Sequence, residues 1–241
     1  MQKENPLIQQ IDLVCSPKEA ANDELLKEVL SKKLRVTSKE VQGFHILRKS
    51  IDARKSPIKI NIHAQVAVKE SLPAREHILL KYQDVTNGKR VLIIGSGPGG
   101  LFAALRCIEF GFKPVLIERG QDVQNRRRDL KAINRDNTVN PDSNYCFGEG
   151  GAGTYSDGKL YTRSTKRGSV DRILDILVHH GAVEEILYEA HPHIGTNKLP
   201  RVVQAIRETI TACGGEIHFN TRMVDFTIKK NLISGITTQS G

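Results

Sequence analysis

The sequence feature that most constrains the fold is a short apolar run that ends in closely spaced glycines. Residues 91–94 (VLII) are followed by Gly95, Gly97 and Gly100 in the pattern G-x-G-x-x-G, and then by an apolar segment with helical spacing. The first glycine allows a tight turn, the second lets a pyrophosphate approach the backbone, and the third lets the helix pack closely on the strand. The motif therefore predicts a buried strand at 91–94 that opens a dinucleotide-binding βαβ unit.

An acidic residue closes the next strand of this unit. Glu118 follows the apolar run at 114–117 and lies 23 residues after Gly95, where a carboxylate can bond ribose hydroxyls. The helix that starts near Gly99 offers unsatisfied N–H groups and the positive end of its dipole to phosphates. This spacing admits either NAD or FAD. Glu118 disfavours the 2′-phosphate of NADP by repulsion, whereas the adjacent Arg119 weakens that exclusion.

A second glycine-rich segment, FGEGGAGTYSDGKL, occupies residues 147–160. Its glycines suit a backbone that lies close against a flat or anionic ligand, with polar contacts from Ser156, Asp157 and Lys159. A surface loop that binds nothing is the alternative.

This segment resembles the FGEGGAGT-S-DGKL pattern of a family of mostly uncharacterised FAD-dependent dehydrogenases, within the flavoproteins that have two dinucleotide-binding domains. Segments 48–54 (RKSIDAR), 118–120 (ERG) and 193–199 (HIGTNKL) are also similar, so the resemblance covers essentially the whole chain. It implies an oxidoreductase with FAD, a small-molecule substrate and NAD(P)H as a candidate electron donor. It also implies that the chain is the N-terminal half of such a protein, inactive by itself.

The resemblance assigns the FAD contacts as well. The glycine turn would hold the pyrophosphate, Glu118 the adenosine ribose, the 148–159 loop the pyrophosphate and isoalloxazine, and the backbone of Val224 the adenine. The predicted cofactor-binding residues are Gly95, Ser96, Gly97, Pro98, Gly99, Gly100, Glu118, Arg119, Gly150, Gly151, Ser156, Asp157, Gly158, Lys159 and Val224. No catalytic residue is predicted, because the substrate region of the family lies beyond these motifs.

The predicted fold class is α/β, with a Rossmann-like FAD-binding domain at 86–241, incomplete at its C-terminus, and a small α+β ferredoxin-like module at 1–85. In the module, residues 58–68 alternate apolar and mostly polar side chains, which predicts a strand with one buried face. Strands at 7–14 and 44–51 and a helix at 18–34 complete the expected order of strand, helix, strand, strand.

The positive charge of the chain lies mainly in its first 90 residues, which carry a net charge of +6 out of +9. This asymmetry makes a nucleic-acid-binding module a rival function. Phe44 and Tyr82 are the only aromatic residues in that segment, so the stacking platform of an RNA-binding sheet is missing and nucleic acid is not favoured. A non-catalytic flavin-binding protein is a third class, which turnover would separate from an enzyme.

The remaining signals favour structural roles. His191 and His193 lack further ligands at zinc spacing, so no metal site is predicted. Cys146 is expected to be a buried structural thiol. The arginines at 126–128, with Arg135, are expected to form a solvated helix face, and contact with the FAD phosphates is the alternative. No apolar stretch is long enough to cross a membrane, no signal peptide is evident, and the isolated cysteines favour a reducing compartment, so a cytoplasmic protein is expected.

Overall fold

The computed structural model describes residues 8–162 and 168–239 of the chain. In chain order, the helices and strands are β1 (Ile8–Cys15), α1 (Pro17–Ala20), α2 (Asp23–Leu34), β2 (Val41–Asp52), β3 (Lys59–Val68), β4 (Arg90–Ile94), α3 (Pro98–Glu109), β5 (Lys113–Ile117), α4 (Val123–Asp136), α5 (Val170–His179), α6 (Leu199–Ala212), β6 (Glu216–His218), β7 (Met223–Lys229) and β8 (Leu232–Thr238). A short 3₁₀ helix, which the sequence patterns did not predict, lies at Glu184–Leu187.

The described residues divide into two compact units. The first contains those of Met1–Ile78, Leu160–Asp175 and Glu184–Pro192. The second contains those of Leu79–Lys159, Ile176–Val183 and His193–Gly241. The domain boundary that the sequence places at residue 85 stays a prediction.

The first unit is built on an antiparallel sheet in the order β1-β3-β2. Alternate residues of the central strand, Ile60 and Ile62 among them, are buried in one core with Leu26 and Leu30 of α2. The predicted alternation in this strand is therefore confirmed, because its apolar face packs against the helix. The ferredoxin-like assignment of the unit stays a prediction.

The single helix expected at 18–34 is two helices. Ser16 and Glu19 form a capping box at the start of α1, and the Asn22 side chain accepts a hydrogen bond from the Leu25 backbone N–H (3.0 Å) at the start of α2. An asparagine at an N-cap satisfies an otherwise unpaired backbone donor, and this stabilises a new helix start rather than a continuous helix.

The second unit contains a parallel sheet in the order β4-β5-β6, so the described chain has a mixed α/β architecture. The central strand β5 is buried from Pro114 to Ile117. The prediction that residues 91–94 form a buried strand is wrong, since Leu92 and Ile94 are 44% and 51% exposed and Val91 and Ile93 are only half-buried. Leu92 and Ile94 are two residues apart and therefore point to the same face of β4, which the described residues leave uncovered.

Among the helices that the structure describes, none is both long enough and apolar enough to span a membrane.

Leu30 offers a test of the first unit's core, because its side chain is fully buried whereas Ile51 of β2 is 72% exposed. We expect Leu30→Ala to lower the free energy of unfolding by about 2–5 kcal/mol, through lost apolar burial and the cavity left behind. The matched change Ile51→Ala should cost less than about 0.5 kcal/mol. Urea unfolding followed by circular dichroism measures both, and equal losses would contradict the assignment of Leu30 to the core.

Candidate dinucleotide-binding site

The carboxyl ends of β4 and β5 open into a cleft of about 360 Å³. Ligands of open α/β sheets bind at this end of the strands. Five of the predicted cofactor-binding residues line the cleft, namely Gly95, Gly97, Glu118, Arg119 and Gly151. The lining is completed by residues that were not in the predicted set, namely Ile94, Ile117, Cys146, Phe147, Gly148, Thr221, Arg222 and Met223.

The three glycines of the turn meet different requirements. Gly95 has a φ of +92°, a conformation that side chains rarely adopt. A Cβ added at Gly100 would lie 1.9 Å from the carbonyl oxygen of Gly95, so the close contact of helix and strand requires glycine there. At Gly97 the nearest atom to an added Cβ is the Cα of Gly151 at 3.9 Å. The described fold therefore leaves room for a side chain at 97, and the open space lies beside the cleft.

The N-terminus of α3 faces this turn without a side-chain cap. Its N-cap is Gly97, which can supply no capping oxygen, and Pro98 occupies the first helical position. The first N–H groups of a helix have no intrahelical acceptor and carry its positive dipole end. An anion placed at this end would accept hydrogen bonds that a capping side chain otherwise accepts.

Glu118 is buried at the base of the cleft and joins the ends of the two strands. Its Oε2 accepts hydrogen bonds from the backbone N–H and the hydroxyl of Ser96 (2.8 and 3.0 Å), and its Oε1 accepts one from the Gly120 N–H (2.8 Å). A carboxylate has about four acceptor positions, so one remains for a ligand hydroxyl. Glu118 thus holds the glycine turn through its contacts with Ser96 and Gly120. Its contact with a ribose stays a prediction.

A fully buried arginine organises the glycine-rich loop. The Arg126 guanidinium donates hydrogen bonds to the Thr154 hydroxyl and to several backbone carbonyls, those of Asn144, Tyr145, Gly148, Glu149 and Gly151. Burial lowers the pKa of Arg126 from its ordinary value. The expectation of a solvated face at 126–128 is therefore wrong for Arg126, although Arg127 and Arg128 are exposed.

Two further contacts fix the same loop. The buried Glu149 carboxylate accepts hydrogen bonds from the Val123 N–H (2.8 Å) and from Arg207 Nε (2.8 Å), while burial raises its pKa. The Gly150 N–H donates to the Ser96 carbonyl (2.9 Å), which joins the loop to the glycine turn. The first half of the loop is thereby held against the cleft by interactions within the protein.

Arg119 is engaged at the rim of the cleft. Its Nε donates to the Asp142 carboxylate (2.9 Å), and its guanidinium lies 4.0 Å from the centre of the Phe147 ring. Arg222 lies 3.7 Å from the same carboxylate. The neighbouring Cys146 is exposed and lines the cleft, so the expectation that it is a buried thiol is wrong.

The second half of the loop does not reach the cleft lining. Lys159 pairs with His193 in a β-bridge, and the Asp157 carbonyl accepts a hydrogen bond from the Gly195 N–H (2.9 Å). Gly158 packs beside Ile194, while Ser156 bonds back to the Gly153 carbonyl. The cofactor contacts assigned to Ser156, Asp157, Gly158 and Lys159 stay predictions, as does that of Val224, which lies in β7 next to the lining residue Met223.

The two histidines of the H-P-H segment lie apart from any cluster of ligands. The His191 ring packs against the Tyr161 ring, with ring centres 4.6 Å apart and the two planes inclined at 55°. Over the residues that the structure describes, no group of three or more His, Cys, Asp or Glu side chains is placed to hold a metal ion.

Comparison with known families supports FAD as the dinucleotide. Residues 90–126 match a family model described as an FAD binding domain, a stretch that includes the glycine turn and Glu118. Residues 7–67 match a domain of unknown function (DUF8436). A protein of Clostridium beijerinckii described as uncharacterized is 37% identical over 227 residues, which are 88% of this chain and 42% of that protein. The chain thus spans less than half the length of this relative.

Two solved structures share partial similarity with the chain. One is described as native FqzB, with a TM-score of 0.33 and 12% identity over 68% of this chain and 35% of that one. The other is an L-amino acid deaminase from Proteus vulgaris, with a TM-score of 0.29 and 12% identity over 70% of this chain and 47% of that one. TM-scores below 0.5 do not establish a shared fold, so function rests on the residues themselves.

Gly97 and Gly100 give a matched pair of tests. Gly100→Ala should destabilise the protein by about 1–3 kcal/mol, because its Cβ would overlap a backbone oxygen. Gly97→Ala should cost less than about 1 kcal/mol, the scale of an N-cap effect, yet it should weaken FAD binding. Thermal unfolding and FAD titration of both variants measure this. A large loss of stability in Gly97→Ala would show that the fold, rather than a ligand, requires glycine there.

Arg126 and Arg127 form a second matched pair, adjacent on α4 but with opposite exposure. Arg126→Ala leaves buried carbonyls without donors and should cost about 3 kcal/mol or more, with loss of FAD retention. Arg127→Ala should change stability by less than about 0.5 kcal/mol. Arg126→Lys keeps the charge but not the forked donor geometry, so its loss of stability should lie between those of the two alanine variants. Identical unfolding midpoints for the two alanine variants would argue against the role given to Arg126.

Proposed function

We propose that this chain is the FAD-binding part of a flavoprotein oxidoreductase that acts on a small-molecule substrate. The observation that carries the proposal is Gly97, where the fold leaves space for a side chain and the sequence supplies none. That space lies at the uncapped end of α3 and beside Glu118, where a dinucleotide would need the backbone exposed. FAD, when bound, supplies the redox chemistry, and the protein supplies binding and orientation.

The residues of the cleft divide among the parts of such a cofactor. The glycine turn and the first turn of α3 would bind the pyrophosphate, and the remaining acceptor position of Glu118 would bind a ribose hydroxyl. Ile94, Ile117 and Met223 would cover the apolar adenosine end, since they line the same cleft. The β4–α3–β5 unit with this cleft supports the assignment of a Rossmann-like domain, which we place at 86–241 after a separate N-terminal module at 1–85.

The rim of the cleft favours a dinucleotide without a 2′-phosphate. A phosphate on the adenosine ribose would be repelled by the Glu118 carboxylate. Arg119, the nearby cation that could offset this repulsion, is held by Asp142 and by the Phe147 ring. FAD and NAD meet this requirement, and the family match at 90–126 favours FAD. NAD(P)H is proposed as the electron donor from outside this cleft, and the cytoplasm as the compartment, in keeping with four free cysteines.

A cofactor assay tests the proposal directly. FAD should be released by heat from the purified full-length protein and identified by mass spectrometry. Recovery of NAD alone, or of no dinucleotide, would contradict it. Reduction of the bound FAD by NAD(P)H would distinguish an enzyme from a non-catalytic flavin-binding protein.

A comparison of two substitutions tests how the cofactor is held. Gly97→Val should abolish FAD retention, because a branched side chain would occupy the space proposed for the pyrophosphate. Glu118→Ala should weaken binding less, by about 1.5–3 kcal/mol for a lost charge-assisted hydrogen bond, together with some loss of stability from the Ser96 and Gly120 contacts. FAD titration of the folded apo-variants measures both, and Glu118→Gln serves as the isosteric control. Equal or reversed losses would contradict the approach of pyrophosphate to Gly97.

A further inference from the structure

The second unit contains another cleft, between the helices α4 and α6, which shares no residue with the dinucleotide-binding cleft. Its volume is about 470 Å³, within the range of about 300–1,000 Å³ that is typical of small-ligand sites. Gln124 and Arg127 of α4 line one wall, and Arg201 and Gln204 of α6 line the other. The cleft is therefore large enough to hold a molecule that the FAD proposal does not account for.

The two helices are antiparallel at this cleft, and contacts between them fix which residues face each other. Arg207 lies beside the start of α4, because the Glu149 carboxylate accepts hydrogen bonds from both Arg207 Nε and the Val123 N–H (2.8 Å each). About one turn earlier on α6, Gln204 accepts a hydrogen bond from Gln124 Nε2 (3.3 Å). Residues further along α4 are consequently opposite residues nearer the N-terminus of α6.

Arg127 and Arg201 therefore lie at the same end of the cleft, one on each wall. Arg127 is three residues after Gln124, and Arg201 is three residues before Gln204. Residues three apart are neighbours on one face of a helix, so each arginine lies beside a glutamine that reaches across to the other helix. The two guanidinium groups thus face one common space.

The described residues leave the positive charge at this end of the cleft unneutralised. No carboxylate lines the cleft, and neither Arg127 nor Arg201 forms a salt bridge within the part of the chain that the structure describes. Glu208, the one acid of α6, accepts a hydrogen bond from Gln204 (2.8 Å) and lies about two turns from Arg201. Two guanidinium forks on facing walls can each donate paired hydrogen bonds to the oxygens of one phosphate group.

The amide side chains of the lining are suited to hydroxyl groups. Gln124, Gln204 and Asn197 each carry donors and acceptors, and a hydroxyl group can bond to either. Among the described residues that line the cleft, the apolar ones are Val123 and Pro200, and none is aromatic. A nucleobase would therefore have no ring to stack on, whereas a polyhydroxylated molecule would find hydrogen-bonding partners.

We propose that the cleft between α4 and α6 binds a sugar phosphate. The phosphate would lie between Arg127 and Arg201, and the sugar hydroxyls would bond to the amides of Gln124, Gln204 and Asn197. The proposal is independent of FAD binding, since the residues of the two clefts do not overlap.

Calorimetric titration with glucose 6-phosphate and ribose 5-phosphate tests the proposal in full-length protein saturated with FAD. R127A/R201A should bind both compounds at least about tenfold more weakly, because charge-assisted hydrogen bonds to the phosphate are lost. The control R90A/R128A removes the same charge from exposed arginines outside the cleft and should bind them within about twofold of the unchanged protein. FAD retention should be the same in all three proteins.

Asn197→Ala separates recognition of the sugar from attraction of a phosphate. The change removes an exposed amide without altering the charge of the cleft. This variant should bind the sugar phosphates about 2- to 10-fold more weakly, the scale of a single hydrogen bond, and inorganic phosphate within about twofold of the unchanged protein. The Gly97→Val variant should bind the sugar phosphates as the unchanged protein does, so the test holds even if the FAD proposal fails.

Four results would overturn the proposal. The first two are the absence of sugar-phosphate binding and equal weakening in R127A/R201A and R90A/R128A. The third is binding of inorganic phosphate as tight as that of the sugar phosphates, which would show an unspecific anion surface. The fourth is loss of binding on saturation with FAD, which would place the phosphate in the dinucleotide-binding cleft.

Discussion

The arrangement of the cleft at the carboxyl ends of β4 and β5 depends on the buried guanidinium of Arg126. Removing a cation from water is costly unless its donors are satisfied, and an arginine presents five N–H groups in a fixed fork. Here these groups are directed at backbone carbonyls of the segment 144–151 and at the Thr154 hydroxyl. The cost of burial and the conformation of the loop are therefore linked, because another loop conformation would leave a buried charge and several carbonyls without partners.

The loop, the glycine turn and the sheet are consequently one hydrogen-bonded assembly. Gly150 donates to the carbonyl of Ser96, and Ser96 in turn donates to Glu118 at the end of β5. Gly100 allows α3 to approach the turn closely enough for this geometry. A cleft held by such contacts before a ligand arrives loses less entropy when the ligand binds, which is the advantage of preorganisation. Gly97, like Gly99, differs from Gly95 and Gly100, because neither a positive φ nor a close contact requires glycine there.

Features of this site that depend on neighbouring residues could be predicted from the sequence. Features that depend on segments far along the chain could not. Gly95 and Gly100 are required by a turn and a helix start within a few residues, so their spacing predicted the βαβ unit correctly. Arg126 could not be distinguished from Arg127, since the position of a loop about 20 residues further along the chain decides which of the two is buried. The exposure of Cys146 likewise depends on how the loop folds back, and composition carries no signal for it. The glycine motif did include Phe147, which the predicted set of contacts left out.

The distribution of charge in the cleft explains how it could bind a diphosphate with few free cations. Glu118 contributes a negative charge at its base, and Arg119 and Arg222 share the Asp142 carboxylate at its rim. The side chains around the cleft therefore supply little unpaired positive charge for phosphates. The attraction for a diphosphate would have to come instead from the backbone N–H groups at the start of α3. Their hydrogen bonds to phosphate oxygens are strong only when the phosphate approaches closely. A site that relies on backbone donors in this way requires glycine where the ligand approaches, and Gly97, unlike Gly100, is a glycine that the fold itself does not require.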